Sequence, residues 1–190
     1  MKVLLVNIYF HPDPTGTGLV MTELATGLAA RGHEVTVLAS FPHYGCDHLP
    51  DCYRRRWLEA DWYQGVRVLR TYVYVSPRRD LAHRLANYAS FALSSAFAGA
   101  AAGDFDVVFA CSPPLTTGLV GRLLAKVKRA PLVFNPQDIY PDVAVKMGLI
   151  RSRRVIGAMQ WMERVAYEGA GRIVTISEGG RQNLLVKGVP

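Results

Sequence analysis

The chain has 190 residues, half of them hydrophobic and 19% charged, with a formal net charge of +7. That length suffices for one well-packed domain without staples, and the composition excludes a disordered or collagen-like chain. The positive balance suits a polyanionic partner, an anionic membrane surface or phosphorylated substrates, against a bland alternative of scattered solvated charge.

In chain order, Val3 to Ile8 is a continuous apolar run of strand length. From Gly18 to Arg31, the spacing of Leu19, Leu24, Leu28 and Ala29 predicts one helical face, with Gly32 as the stop. Glu34 to Ser40 reads as a second strand, and Phe41 to Gln64 as a long irregular stretch. Val66 to Val75 predicts a strand, Asp80 to Ala102 a helix, Asp106 to Cys111 a strand, and Leu115 to Lys128 a helix. Leu132 to Asn135 is a short strand, and Ser152 to Gly169 a helix striped by Val155, Ile156, Met159, Met162 and Ala166. Arg172 to Ile176 and Glu178 to Lys187 close the series as strand and helix. Buried strands alternating with helices predict an α/β chain: a Rossmann-like, doubly wound parallel sheet in a single domain over residues 1–190. The irregular stretch exceeds ordinary loop length, which marks it as a functional loop.

Leu85 to Ala102 carries no charge, but its Ala, Ser and Asn content is too weakly apolar for a spanning helix, and a buried helix is expected instead. The apolar run at the N-terminus is too short for a secretory segment. Cys46, Cys52 and Cys111 are odd in number and form no disulfide framework, which suits a reducing, cytoplasmic setting. His43, Cys46, His48 and Cys52 lie close in sequence, but their spacing matches no paired zinc motif, so no metal is expected.

In wound sheets, ligands bind beyond the carboxyl ends of the strands. YFHPDPTGTG, FPHYG, SPPLTTG, NPQDIYPD and SEGG all fall at such ends. They offer a polar rim that includes His11, Thr17, His43, Tyr44, Ser112, Asn135, Gln137 and Asp138. Gly16-Thr17-Gly18 lacks the third glycine of a dinucleotide fingerprint, and Ser40-Phe41 closes the second strand without a carboxylate, so NAD binding is disfavoured. Two readings of the glycines stay open: free N–H groups at a helix start, suited to a phosphate or sugar oxygen, or a tight turn. Asp138, fenced by Pro136 and Pro141, has two as well: a group that orients or deprotonates a hydroxyl, or a cap.

These same pieces, with ELATGLAARGHEVTVLAS, GVRVLRTYVYVSP, DVVFACSPPL and GRIVTISEG, resemble the N-terminal half of family 4 glycosyltransferases with the two-domain GT-B fold. The similarity runs in order from Met1 to Pro190 and is nearest to bacterial enzymes of O-antigen, capsule and exopolysaccharide synthesis, N-acetylfucosamine transferases among them. The resemblance implies a retaining transferase without metal or other cofactor. A nucleotide-sugar donor would sit in a second domain and a glycan or lipid-linked acceptor in this one. It implies that Gly16, Thr17 and Gly18 close over the donor phosphates; with them, Ser112, Asn135 and Gln137 of the rim are the expected substrate-binding residues, and Asp138 is the expected catalytic one. The family's His-Asp pair would fall on Gln137-Asp138, where the His is missing.

Nothing like the donor domain with its Glu-x7-Glu motif is present, so the expectation is an isolated acceptor domain, inactive alone, or half of a split enzyme. Peripheral attachment to the inner face of an anionic plasma membrane is expected through Arg78, Arg79 and Arg84 beside the apolar helix. A non-catalytic Rossmann-type binding or scaffold module is the alternative. Nucleic acid is not expected as a partner, because no recognised module accompanies the charge.

Overall fold

The computed structural model describes residues 1–189 apart from 79, 147 and 149. The element order is β1 (Lys2–Val6), α1 (Gly16–Ala30), β2 (Glu34–Ser40), a 3-10 turn (Asp51–Tyr53), β3 (Leu58–Tyr63), β4 (Val66–Thr71) and α2 (Leu81–Ala101). It continues through β5 (Val107–Ser112), α3 (Thr116–Lys128), β6 (Leu132–Pro136), α4 (Asp142–Lys146), α5 (Arg153–Glu168), β7 (Arg172–Ile173) and α6 (Glu178–Val186).

Seven strands form one sheet in the order β3-β4-β2-β1-β5-β6-β7. Strand order reverses between β1 and β5, which pair in parallel from Val3↔Val107 to Val6↔Ala110, so the switch point lies at their carboxyl ends. Both faces are covered, which is why β1 and β2 are apolar without alternation. Val3, Leu5, Val35 and Val37 pack with Met21 and Ala25 of α1. On the other face, Leu4, Val6, Val108 and Phe134 pack with Leu124 of α3 and Ala166 of α5.

Four expectations need correction. The sheet is mixed rather than all parallel, because β3 lies inside the stretch read as irregular and pairs antiparallel to β4. Gln64 and Gly65, both with positive φ, make the two-residue turn that reverses the chain. An edge strand reading LEADWY has no apolar run to betray it. The strand expected to reach Val75 ends at Thr71, after which α2 takes over the backbone: Ser94 Oγ donates to Tyr72 O (2.6 Å) and Ser90 Oγ accepts from Tyr74 N (2.8 Å).

On α1, Gly18, Met21 and Ala25 are buried, whereas Leu19, expected on that face, is 58% exposed. The helix rests on the sheet through Met21 and Ala25, with Leu24, Leu28 and Ala29 beside them, and Leu19 lies off that face. Finally, α2 is not a buried helix. It buries Phe91, Ser95 and Gly99 and leaves Leu93 and Phe97 exposed at 64% and 78%. The stripe expected on α5 does face the protein, with Ala166 buried and Val155, Ile156, Met159 and Met162 half-buried.

Candidate functional site

The five strand-end loops do not serve one hollow. They make two neighbouring regions on the carboxyl rim.

The first region is the switch point itself. Thr15 caps α1, its Oγ1 accepting from Gly18 N at 2.9 Å, and among the described residues the amides of Gly16 and Thr17 have no protein acceptor. The two glycines differ in what holds them. A Cβ on Gly18 would stand 2.7 Å from Thr15 Oγ1 and 2.9 Å from Asp13 O, so internal packing requires glycine there. A Cβ on Gly16 would meet nothing within 4 Å, so the chain itself gives no reason for glycine at that position. A free amide at a helix start is a place for an anionic oxygen.

Across the switch point, β5 and β6 place Ser112, Asn135, Gln137 and Asp138 together. Ser112 is buried, and its Oγ has no partner among the described residues. Asn135 is buried and held internally, Nδ2 donating to Val174 O at 2.6 Å and Oδ1 facing Gln137 Nε2 at 3.5 Å. Gln137 is half-buried and Asp138 exposed. Burial and the Asp138 charge push the Cys111 thiol up to about 12, which makes it inert at neutral pH. Burial first, then the Asp138 charge, also raises the Tyr140 phenol.

The second region is a cleft of about 410 Å³ between α2 and the segments after β1, β2 and β4. None of the residues carried over from the family resemblance line it; of the wider rim, His43 and Tyr44 do. Asp13, buried in the β1 loop, accepts from the amides of His43 (3.2 Å) and Tyr44 (3.0 Å) and so ties the β2 loop to the β1 loop. Burial raises the Asp13 carboxyl, and it lowers the His43 imidazole, keeping that ring neutral.

His43 Nδ1 lies 2.9 Å from Phe41 O, and Tyr9 stacks on the ring at 5.3 Å. Tyr74, Arg78, Arg84, Asn87 and Tyr88 complete the working wall. Of the expected membrane arginines, Arg78 and Arg84 therefore face this cleft, and Arg79 lies outside the described residues. Sequence reasoning missed Tyr9, Asn87 and Tyr88. The triplet Arg84, Asn87 and Tyr88, at helical spacing on a helix otherwise mostly of Ala, Leu and Ser, was the clue available.

The Phe41–Gln64 segment gathers no metal ligands: Cys46 and Cys52 are free and exposed while His43 turns inward.

Comparison with known proteins follows the same lines. Anabaena HepE, solved in complex with UDP-glucose, superposes with a TM-score of 0.53 at 16% identity, covering all of this chain and 41% of HepE. Its complex with UDP and glucose gives 0.54 at 16% identity, covering 42% of HepE. At that identity the likeness concerns the fold, which matches half of a GT-B enzyme. The Escherichia coli protein WcaI, described as a colanic acid biosynthesis glycosyl transferase, is 30% identical over 194 aligned positions that cover all of this chain and 47% of WcaI. The chain thus spans about half the length of the relatives it matches. Residues 15–190 match the glycosyl transferase 4-like domain, and the chain belongs to that family.

Proposed function

We propose that this chain is the acceptor-binding half of a retaining glycosyltransferase, moving a sugar from a nucleotide-sugar to a lipid-linked glycan during cell-surface polysaccharide synthesis. The observation that carries the reading is the switch point: the free amides of Gly16 and Thr17 at the start of α1 face the same rim as Asp138, Gln137 and the orphaned Ser112 hydroxyl. WcaI, described as acting in colanic acid biosynthesis, and HepE, solved with UDP-glucose, support the class of reaction. The donor belongs to the half of the relatives that this chain does not span, and its phosphates would approach Gly16 and Thr17. Asp138, exposed and close to Tyr140, orients or deprotonates the attacking hydroxyl. No metal enters this scheme.

Asp138→Asn in a full-length enzyme is expected to reduce turnover by about 10²–10⁴ without shifting the melting temperature. Unchanged turnover removes Asp138 from the chemistry and takes the rim reading with it.

A second element of the proposal is peripheral attachment to the cytoplasmic face of an anionic membrane. No helix of the described residues is long and apolar enough to cross a bilayer. The inner face of α2, however, is partly polar. Its Asn87 and Ser94 donate inward to Tyr74 O and Tyr72 O, while Ser90 and Ser95 bond the helix's own backbone at Asn87 O and Phe91 O. Leu85, Leu93 and Phe97 point to solvent, and Trp57, at 71% exposure, lies beside Leu93 and Phe97. An apolar outer face, with exposed Arg55 two residues before Trp57 in the chain, suits insertion at a lipid interface better than water.

In vesicle sedimentation, the chain should pellet with anionic but not neutral vesicles, and Leu93→Ser with Phe97→Ser should release it. Equal binding to both lipids defeats the electrostatic part, and undiminished binding by the double variant defeats the choice of face.

A further inference from the structure

The α2 cleft holds a side-chain arrangement that the transfer reading leaves unused. Asn87 is fixed by two bonds from the same nitrogen. Its Nδ2 lies 2.7 Å from Tyr74 O and 3.3 Å from His43 Nε2. A carbonyl can only accept, so the NH2 must face Tyr74. By the same logic, His43 Nδ1, 2.9 Å from Phe41 O, must carry the ring proton. The Nε2 lone pair is then available to take the second Asn87 hydrogen. Both donors are thereby consumed within the protein, and the carboxamide oxygen remains as a fixed acceptor on a cleft wall.

Around it stand flat aromatic faces. Tyr9 stacks on His43, with Tyr44 edge-on to Tyr9 at 5.7 Å. Tyr88 lies against Arg84, whose guanidinium is pushed further toward the charged form by the Tyr88 hydroxyl first of all. The acids nearby are already engaged: Asp13 by the amides of His43 and Tyr44, and Asp80 by His83 at 2.7 Å. Arg78 and Arg84 have no carboxylate within ion-pair reach among the described residues, although both line the cleft. Aromatic planes, one rigid hydroxyl acceptor and two unneutralised cations make a polar pocket at the small end of ligand sites, which run from about 300 to 1,000 Å³.

We infer that this cleft is a subsite for a phosphate-bearing saccharide, in which Arg78 and Arg84 hold the phosphate and the Asn87 carboxamide oxygen accepts a ring hydroxyl. The inference rests on the glycosyl-transfer reading only for calling that saccharide the acceptor. Its recognition chemistry stands on the cleft alone, because every group named belongs to this chain. His43 is a positioning residue: it acts through the Asn87 amide that its Nε2 holds. Asn87 sets specificity, because an immobile acceptor distinguishes epimers by whether a hydroxyl reaches it.

The test is calorimetric titration of this chain with glucose 1-phosphate, galactose 1-phosphate, free glucose and inorganic phosphate. Saturable binding of one hexose 1-phosphate, at least tenfold tighter than free glucose or phosphate, is expected. Arg78→Gln with Arg84→Gln, both at exposed positions, should bring its affinity down to that of the free sugar. Asn87→Ala should reduce the preference between the two epimers toward unity while keeping the advantage of phosphate over no phosphate.

The inference is overturned by an absence of saturable binding, by affinity indifferent to the two arginines, or by epimer preference intact in Asn87→Ala. Its fate separates from that of the transfer reading. Arginine-dependent binding by this chain, together with full turnover in Asp138→Asn, would keep the cleft and remove the proposed chemistry.

Discussion

Two glycines one residue apart answer to different causes. Gly18 is demanded by the turn that packs Thr15 and Asp13 against α1, and Gly16 by nothing inside the chain. Gly18→Ala should therefore cost about 1–3 kcal/mol in urea unfolding, the usual penalty for overpacking, and Gly16→Ala should leave stability unchanged. If Gly16→Ala destabilises as much as Gly18→Ala, the open space at Gly16 is not available to a ligand.

His43 supplies a pH dependence. Burial lowers its imidazole from an ordinary value of 6.5, so below that value the unfolded chain takes up a proton that the folded chain refuses. The contribution is complete above pH 6.5 and is lost progressively as pH falls toward the lowered folded value. Asp13, whose carboxyl burial raises, works the other way, adding stability as pH falls toward its ordinary value of 3.8. Wild type should thus lose more stability than His43→Gln between pH 7 and about 5.5, read as denaturation midpoints; parallel curves would contradict the buried neutral ring. Residue types such as His43 and Gly16 were visible in the chain. Which way each one faces was not, since that depends on Asp13 reaching across 30 positions to the amides after β2.

Among the elements, α5 and α6 carry the clearest energetic prediction. Glu163, which interrupts the apolar stripe of α5, is buried and takes Lys187 Nζ at 2.7 Å and the Tyr167 hydroxyl at 3.0 Å. Lys187, just past α6, also reaches Asp142 at the start of α4 at 3.1 Å. One ammonium thus joins three helices. Removing it strands a buried carboxylate, a loss of about 3–5 kcal/mol when burial is full. Lys187 is a quarter exposed, so Lys187→Met should cost roughly 2 kcal/mol, and adding Glu163→Leu should recover much of it. A double variant no more stable than the single would show that packing, not the stranded charge, was responsible.

For α2 the lesson concerns polarity. The absence of charge from Leu85 to Ala102 was legible, but its meaning was not. Serines that looked like dilution of an apolar helix are the groups that hold the Tyr72–Tyr74 backbone. Edge strand β3 was hidden for a related reason, because a strand with one open edge needs no apolar run.

At the scale of the molecule, the rim is built by a sheet whose order reverses beside β1, and it faces outward with its helix start and carboxylate unengaged. Titration with a nucleotide-sugar should give no saturable binding to this chain alone and should recover binding once a donor half is supplied. Tight binding to the isolated chain would place the donor here and displace the acceptor reading. The order of apolar runs and amphipathic stretches determined the α/β class, the places where strands end, and the loops that carry Pro, Gly and acid, because burial on two faces leaves a periodicity that any reader can count. The family likeness was legible in the same loops. Only the tertiary structure decided that Tyr9, His43, Asn87 and Arg84 share a cleft, and that Ser112 and Asp138 stand apart from it. Such neighbours come from different strands and one long helix, and the distance between them is set by sheet order and helix rotation, which no local pattern records.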